Sequence, residues 1–452
     1  MTQASTAAGR TLVVGLGKTG LCCARYLHAQ GVSVAVTDSR PNPPGLALLR
    51  DELPHAAVFV GGFDPAVFAA ADRLILSPGV PLSEPAVAAA LARGASVQGD
   101  IELFARAAQA PVVAITGSNG KSTVTTLVGR MARLAGVRVA VGGNLGDPAL
   151  DLLSDAVELY VLELSSFQLE TTTSLRAKAA TVLNLSADHM DRYPSLATYA
   201  AAKARVFVGA ETAVVNRDDP LVCAMVAPEA HSRGFTLGAP ERPEDYGLLT
   251  QGGETWLARG PEPLFAARGV ALAGRHNLAN ALAAIALAEA VDLPREAIGE
   301  ALRTFGGLPH RTELVAERHG VRWYDDSKGT NPGATIAALL GLIDPQGAAR
   351  AVLIAGGDGK GADFAPLAPV VEALARAVVL IGRDAPMIER VLHGRVPLLH
   401  ARDMEAAVRL AAGAAREGDC VLLSPACASF DMFDDYAHRG RVFAAAVGRL
   451  AP

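Results

Sequence analysis

Short aliphatic and β-branched runs recur along the chain, each closed by a glycine turn and followed by apolar residues at helical spacing. The first is RTLVVGLGKTG (10–20), where the apolar run ends in Gly15, Gly17 and Gly20. A helical stretch follows and stops at Gly31, and the next strand, VSVAVTD, starts at once. A second unit opens near Pro111 with PVVAITGSNGKSTVTTLVGRMARLAG, again strand, glycine loop and helix. Its further strands are expected in ELYVLELSSF, AATVLNLSADHMD and ETAVVNRDD, and a long apolar helix in HNLANALAAIALAEAV. The glycine- and proline-rich stretch from about Gly234 to Gly269 is expected to be irregular or meandering. A third unit follows FGGLPHRTE, with strands expected in VRWYDDS, RAVLIAGG, AVVLIG and DCVLLSPA. The alternation predicts three consecutive α/β domains: a Rossmann-like one over 1–109, a central one opening on a P-loop-type turn over 110–307, and a Rossmann-like one over 308–452.

Composition agrees with this division. A chain of 452 residues is too long for one ordinary core, and 50% hydrophobic with 19% charged residues marks it as globular. A net charge of −5 argues against a general nucleic-acid binder, while leaving room for local basic residues around small anions. Cys22, Cys23, Cys223, Cys420 and Cys427 form no C-x-x-C and read as buried thiols in a reducing compartment. The opening MTQASTAAGR lacks the apolar stretch of a secretory leader, and no apolar run approaches ~18 residues. The expectation is a cytoplasmic protein without a membrane span.

Two glycine loops carry the candidate chemistry. Gly15, Gly17 and Gly20, with Asp38 downstream on the next strand, form a dinucleotide fingerprint whose backbone N–H groups suit a diphosphate. Asp38 stands where a dehydrogenase holds a ribose hydroxyl, so this motif alone leaves NAD open. The second loop, GSNGKST from Gly117 to Thr123, has only Ser118 and Asn119 before Gly120 and Lys121, where the Walker pattern has four residues. It still brings free N–H groups, a lysine charge and the Ser122 hydroxyl to the place where a triphosphate and Mg²⁺ would sit. Glu163, ending the run LYVLE, is a candidate metal ligand. His189, flanked by Asp188 and Asp191, and Lys203, in YAAAKARVF, would taken singly be a structural histidine and a solvated helix lysine.

In order, GSNGKST, ELSSFQL, NLSADHMDRY, AAKARVF and GRHNLANALAA resemble the Mur ligase superfamily, whose members share three domains and a loop of G-[TS]-N-G-K-[ST] type. Within it, LVVGLGKTG, SPGVP, YDDSKGTNPGAT and LLSPACASFDMF resemble members that add D-glutamate to UDP-N-acetylmuramoyl-L-alanine in peptidoglycan precursor synthesis. Ser118 and Gly329 depart from the more frequent threonine and alanine without removing a functional group. The resemblance implies an ATP-dependent ligase working through an acyl phosphate, in which the first loop holds a UDP-sugar. Gly17, Lys18, Thr19 and Gly20 would face its diphosphate, Asp38, Ser39 and Arg40 would lie near uracil, and Ser77, Pro78 and Gly79 would complete the pocket. ATP would lie on Gly117, Ser118, Asn119, Gly120, Lys121, Ser122 and Thr123, with Asn277, Arg311 and Asp326 on adenine, phosphate and ribose. Ser122 and Glu163 would hold one Mg²⁺, and His189 with a carbamate on Lys203 a second. Asn144 would orient the muramoyl-alanine carboxylate, and Lys328, Thr330, Lys360, Ser429 and Tyr436 would surround D-glutamate and the transferred phosphate. Lys121, His189 and Lys203 are the expected catalytic residues. Besides its substrates the protein is expected to have no nucleic-acid or membrane partner, and to be a monomer.

Overall fold

The computed structural model describes residues 9–272 and 274–450; most of the opening segment read above for a leader lies outside them. Among the described residues three sheets follow one another along the chain. The first is parallel, with β1 (Thr11–Val14), β2 (Val34–Asp38), β3 (Ala57–Val60), β4 (Arg73–Leu76) and β5 (Ser96–Gly99) in the order β3-β2-β1-β4-β5. The second contains β6 (Val112–Thr116), β7 (Val139–Gly143), β8 (Leu159–Glu163), β9 (Ala179–Val182), β10 (Thr212–Asn216), β11 (Ser232–Phe235), β12 (Tyr246–Gln251), β13 (Glu254–Arg259) and β14 (Glu262–Ala266). Their order is β14-β13-β12-β11-β10-β9-β6-β8-β7. The third has β15 (Glu313–Arg318), β16 (Val321–Asp325), β17 (Ala351–Ala355), β18 (Ala375–Leu380), β19 (Leu398–His400) and β20 (Cys420–Leu423) in the order β15-β16-β20-β17-β18-β19. The α/β class read from the sequence is the class observed.

The stretch expected to be irregular is an ordered meander. β12, β13 and β14 pair antiparallel and extend the central sheet, with a register shift at Leu257/Ala258. Glycine and proline in such a segment mark tight turns as well as loops: Gly252 and Gly253 turn β12 into β13 at φ of 61° and 79°. Strands β3, β5, β7, β15 and β19 have no counterpart in the expectation; all five lie at sheet edges, where alternation of apolar and polar residues is weakest.

The helix Arg275–Ala290 is buried almost all round, with Ala281 to Ala288 at 0% exposure, so it has no polar face for the periodicity to display. It packs against the helix Lys121–Leu134 and fixes the phosphate loop from behind. The helix Asp100–Ala107 links the first sheet to the second. Its Glu102 is 1% exposed and accepts from the Thr173 N–H (2.7 Å), the Ser174 N–H (2.9 Å) and the Ser174 hydroxyl (2.6 Å). These hydrogen bonds outweigh burial and hold its carboxyl down at about 2. Nearby Asp100 also reaches across, accepting from Gln168 Nε2 at 2.9 Å, but its burial pushes it up to about 6.

A depressed folded pKa stabilises above the unfolded value of ~4.3 and is lost as pH falls through about 2. Glu102→Gln should therefore lower stability at pH 7 by ~1–3 kcal/mol, the cost of mismatching buried hydrogen bonds. In denaturant titrations the gap from the parent should close between pH ~4.3 and ~2; a constant gap would contradict the assignment.

Candidate functional site

The loop after β6 is built by glycine geometry. Gly117 and Gly120 have φ of 150° and 83°, and a side chain on Gly120 would start 2.5 Å from Asn280 Oδ1. The loop is then bonded to the end of β9. Ser118 N–H donates to the Asn184 carbonyl (2.9 Å), Asn119 N–H to Asn184 Oδ1 (2.8 Å), and Ser118 Oγ to the Ser186 carbonyl (2.9 Å). Lys121 folds back on the loop, its ammonium donating to the Gly117 and Ser118 carbonyls at 2.9 Å each. Lys203, 1% exposed, donates to the same Gly117 carbonyl at 2.8 Å, and its Nζ lies 4.6 Å from the centroid of the Tyr199 ring. Burial, then the neighbouring Lys121 charge, pushes the Lys203 pKa well below that of an ordinary lysine.

β7 and β8 pair with Gly143 opposite Glu163, which brings Asn144 Nδ2 to 2.6 Å from Glu163 Oε1. Glu163 is 3% exposed, and its other oxygen, Oε2, is buried with no hydrogen-bond partner among the described residues. A buried bare carboxylate oxygen is costly unless a cation meets it. His189 sits in a left-handed conformation (φ 58°), as does Lys360 (φ 50°), conformations that cost a side-chain residue ~1–2 kcal/mol. Strain of this kind gathers at functional sites.

The third domain reaches this loop directly. Arg311 donates to Ser122 Oγ at 2.7 Å, and Asn331 Nδ2 donates to Asn119 Oδ1 (3.2 Å) and Asp188 Oδ2 (3.1 Å). His310 Nδ1 and Asp325 Oδ2, 2.6 Å apart, brace the two segments that carry Arg311 and Asp326. Burial pushes Asp326 up to about 7 and Lys328 down to about 8, the latter helped by the Arg311 and Lys121 charges.

Three cavities lie in a row. One of about 490 Å³ is lined by Gly17, Lys18, Thr19, Asp38, Ser39, Arg40, Ser77, Pro78, Gly79 and Asn144. A central one of about 270 Å³ is lined by Ser118, Asn119, Gly120, Lys121, Asn144, His189, Lys203, Arg311, Lys328, Thr330 and Lys360. The last, about 70 Å³, is lined by Asn119, Gly120, Thr123, Asn277, Arg311, Asp326 and Lys328. Asn144 belongs to the first two, and Gly120, Arg311 and Lys328 to the last two, so the row is continuous.

Some expected contacts fall elsewhere. Gly20 does not face the first cavity: a side chain there would start 1.8 Å from the Gly15 carbonyl oxygen, so this glycine lets the helix Lys18–Ala29 pack on the turn. Lys18 does line the first cavity, and its ammonium extends to the Gly146 carbonyl (2.9 Å) and Asp147 Oδ1 (3.1 Å). All four lone-pair positions of Asp38 are taken, by the Leu16 N–H and by the Arg40 N–H, Nε and Nη2, which leaves none for a ribose hydroxyl. That arrangement disfavours the NAD reading of the fingerprint. Ser429 is 2% exposed and lines none of the three cavities, and Tyr436 acts through its ring, whose centroid is 4.0 Å from Lys328 Nζ. Sequence reasoning missed Asn331, Phe167, Tyr199 and His276, which line the cavities. All four stand inside the stretches ELSSFQL, YAAAKARVF, GRHNLANALAA and YDDSKGTNPGAT, where they could have been singled out.

The chain matches the family descriptions "Mur ligase MurD-like, N-terminal domain" over residues 9–99, "Mur ligase middle domain" over 115–288 and "Mur ligase, glutamate ligase domain" over 310–427. The chain belongs to the Mur ligase family. This Mur ligase is 58% identical to the UDP-N-acetylmuramoylalanine–D-glutamate ligase of Nitrosococcus oceani, over 98% of this chain and 97% of the relative. It is 54% identical to the ligase of the same name from Pseudomonas aeruginosa, over 97% of this chain and 98% of that one. Among solved structures it is similar to UDP-N-acetylmuramate-alanine ligase from Thermotoga maritima (TM-score 0.55, 18% identity, 97% and 98% of the two chains covered). It is similar also to MurF from Acinetobacter baumannii (TM-score 0.58, 18% identity, 85% and 92% covered), and both likenesses concern the fold.

The bare Glu163 oxygen yields a prediction. Glu163→Gln keeps the side-chain size and the Asn144 contact but replaces the carboxylate. Calorimetric titration with ATP and Mg²⁺ should show nucleotide affinity weakened on the order of 10–100-fold, while ATP without metal binds as in the parent. An unchanged Mg²⁺ dependence would remove Glu163 from the metal site.

Proposed function

We propose that this Mur ligase joins UDP-N-acetylmuramoyl-L-alanine to D-glutamate, hydrolysing ATP to ADP and phosphate, as a cytoplasmic monomer in peptidoglycan precursor synthesis. The observation that carries the reading is the continuous row of cavities, with Asn144 at one junction and Arg311 with Lys328 at the other. Five free thiols, four of them buried, accord with a reducing compartment. Among the described residues no helix is long and apolar enough to cross a membrane.

In this reading the UDP group lies in the first cavity, with Arg40 held by Asp38, and the muramoyl-alanine carboxylate passes Asn144 into the central one. ATP lies along the loop, with its base toward Asn277 and its ribose toward Asp326. A carboxylate is a poor acyl donor, so its oxygen first attacks the γ-phosphorus, releasing ADP and forming an acyl phosphate. The glutamate amine then attacks the acyl carbon, loses a proton and expels phosphate. The first step brings two anions together, so alignment and charge neutralisation supply most of the acceleration. Lys121 leaves the loop carbonyls for the β- and γ-phosphates, and Arg311 leaves Ser122 for the same group. Lys328, Thr330 and Lys360 receive the two carboxylates of glutamate.

The residues fit a divalent cation, since Glu163 Oε2 is buried without a partner. Glu163 and Ser122 would hold one Mg²⁺ and His189 with carbamylated Lys203 another, and Mg²⁺ bound there supplies positive charge between the anionic reactants. Carbamylation needs an uncharged amine, which attacks carbon dioxide and loses a proton; the buried, desolvated Lys203 supports this.

Phosphate release from ATP, measured with UDP-N-acetylmuramoyl-L-alanine and each glutamate enantiomer, tests the reading. Release should require the UDP-sugar and D-glutamate; release with L-glutamate alone, or with neither, would overturn it. Lys203→Arg keeps charge and length but cannot be carbamylated, and ligation should fall by ~10²-fold or more, the scale of losing a charge-stabilising group. A fully active Lys203→Arg enzyme would return this residue to an ordinary buried lysine.

A further inference from the structure

The geometry points to Arg192 as a positioning residue that transmits occupancy of the first cavity to His189; this rests on the assignment of that cavity to the UDP-sugar. Arg192 belongs to the turn after His189, in the central domain. Its Nη1 donates to the Pro78 carbonyl at 2.7 Å, and Pro78 lies in the loop after β4 that walls the first cavity. Its Nη2 donates to Glu170 Oε2 at 2.6 Å, and its guanidinium carbon lies 4.1 Å from the centroid of the Phe167 ring. Arg192 and Glu170 side chains are only 12% and 14% exposed, so the pair is shielded from screening.

The path continues without a gap. Phe167 meets the His189 imidazole edge to face, with ring centroids 4.8 Å apart. The Arg192 N–H donates to the His189 carbonyl at 2.9 Å, closing the turn that holds His189 at its left-handed φ of 58°. The Tyr193 N–H donates to that carbonyl at 3.0 Å, and its hydroxyl donates to Glu170 Oε1 at 2.5 Å, which anchors the carboxylate under the guanidinium. One planar cation therefore touches the wall of one cavity and, through a ring and a turn, orients a residue lining the next. A ligand that shifts or firms the Ser77–Gly79 loop acts on Arg192 through the Pro78 carbonyl. Lysine could not replace it: an ammonium has no planar face for Phe167 and no fork to span Pro78 and Glu170 together.

A mere staple between domains and a positioning residue differ in what they move. Two affinities are measured by calorimetry for a non-hydrolysable ATP analogue with Mg²⁺, without and with saturating UDP-N-acetylmuramoyl-L-alanine. In the parent the UDP-sugar should tighten the nucleotide by ~10-fold, and the reverse titration should return the same factor. In Arg192→Met and Arg192→Lys each ligand alone should bind as in the parent while the factor falls to about one, and kcat should fall with KM values held. The lysine variant keeps the charge and one hydrogen bond, so it carries the test if the methionine variant does not fold. Parental coupling in either folded variant would overturn the proposal, as would loss of solo affinity for either ligand, which is what a staple predicts. A parent that binds the nucleotide but not the UDP-sugar would overturn the functional reading beneath it instead.

Discussion

Two left-handed glycines, Gly117 and Gly120, turn β6 into the helix Lys121–Leu134, and the loop they form walls the central cavity. That turn is not self-supporting. Asn184 and Ser186, from the end of β9, hold its backbone, and the buried helix Arg275–Ala290 closes in behind it through Asn280. The other features of the centre are arranged around this one loop. Lys121 and Lys203 converge on its Gly117 carbonyl, Arg311 arrives from the third domain on its Ser122, and Asn331 links its Asn119 to Asp188. Displacing the loop would detach groups of the second and third domains at once.

The surroundings work by desolvation as much as by contact. Lys203 and Lys121 are cations withdrawn from water, and Glu163 is an anion withdrawn from water a short way along the same sheet edge. Burial and then the Lys121 charge make Lys203 harder to protonate, and the bare oxygen of Glu163 has no donor to compensate it. Such a centre is under electrostatic tension until charged ligands enter, which suits a reaction between a triphosphate and a carboxylate.

What could be read from the sequence was local. GSNGKST and NLSADHMD each lie within a few residues of a strand end, so strand periodicity and glycine position were enough to place them. Residues whose meaning depends on a distant partner were not legible. Asn331 takes its role from Asn119, 212 positions away, and Arg192 from Pro78, 114 positions away. Asp38 read as a ligand contact because its partners, Leu16 and Arg40, look unremarkable in the chain. Gly20 fitted a phosphate fingerprint, yet its hydrogen is required by the Gly15 carbonyl. The edge strands and the meander escaped because half-exposed strands lack the continuous apolar run that marks a buried one.

The closed arrangement has a cost that follows from its own hydrogen bonds. With Arg311 on Ser122 and Lys121 on the loop carbonyls, the protein's cations already occupy the acceptors that ligands must release. The molecule is in this sense its own competitive inhibitor. The measured dissociation constant for nucleotide is the intrinsic one divided by the fraction of molecules in which these contacts are broken. A compound that steadies the self-occupied form would need neither to resemble ATP nor to reach the phosphate loop.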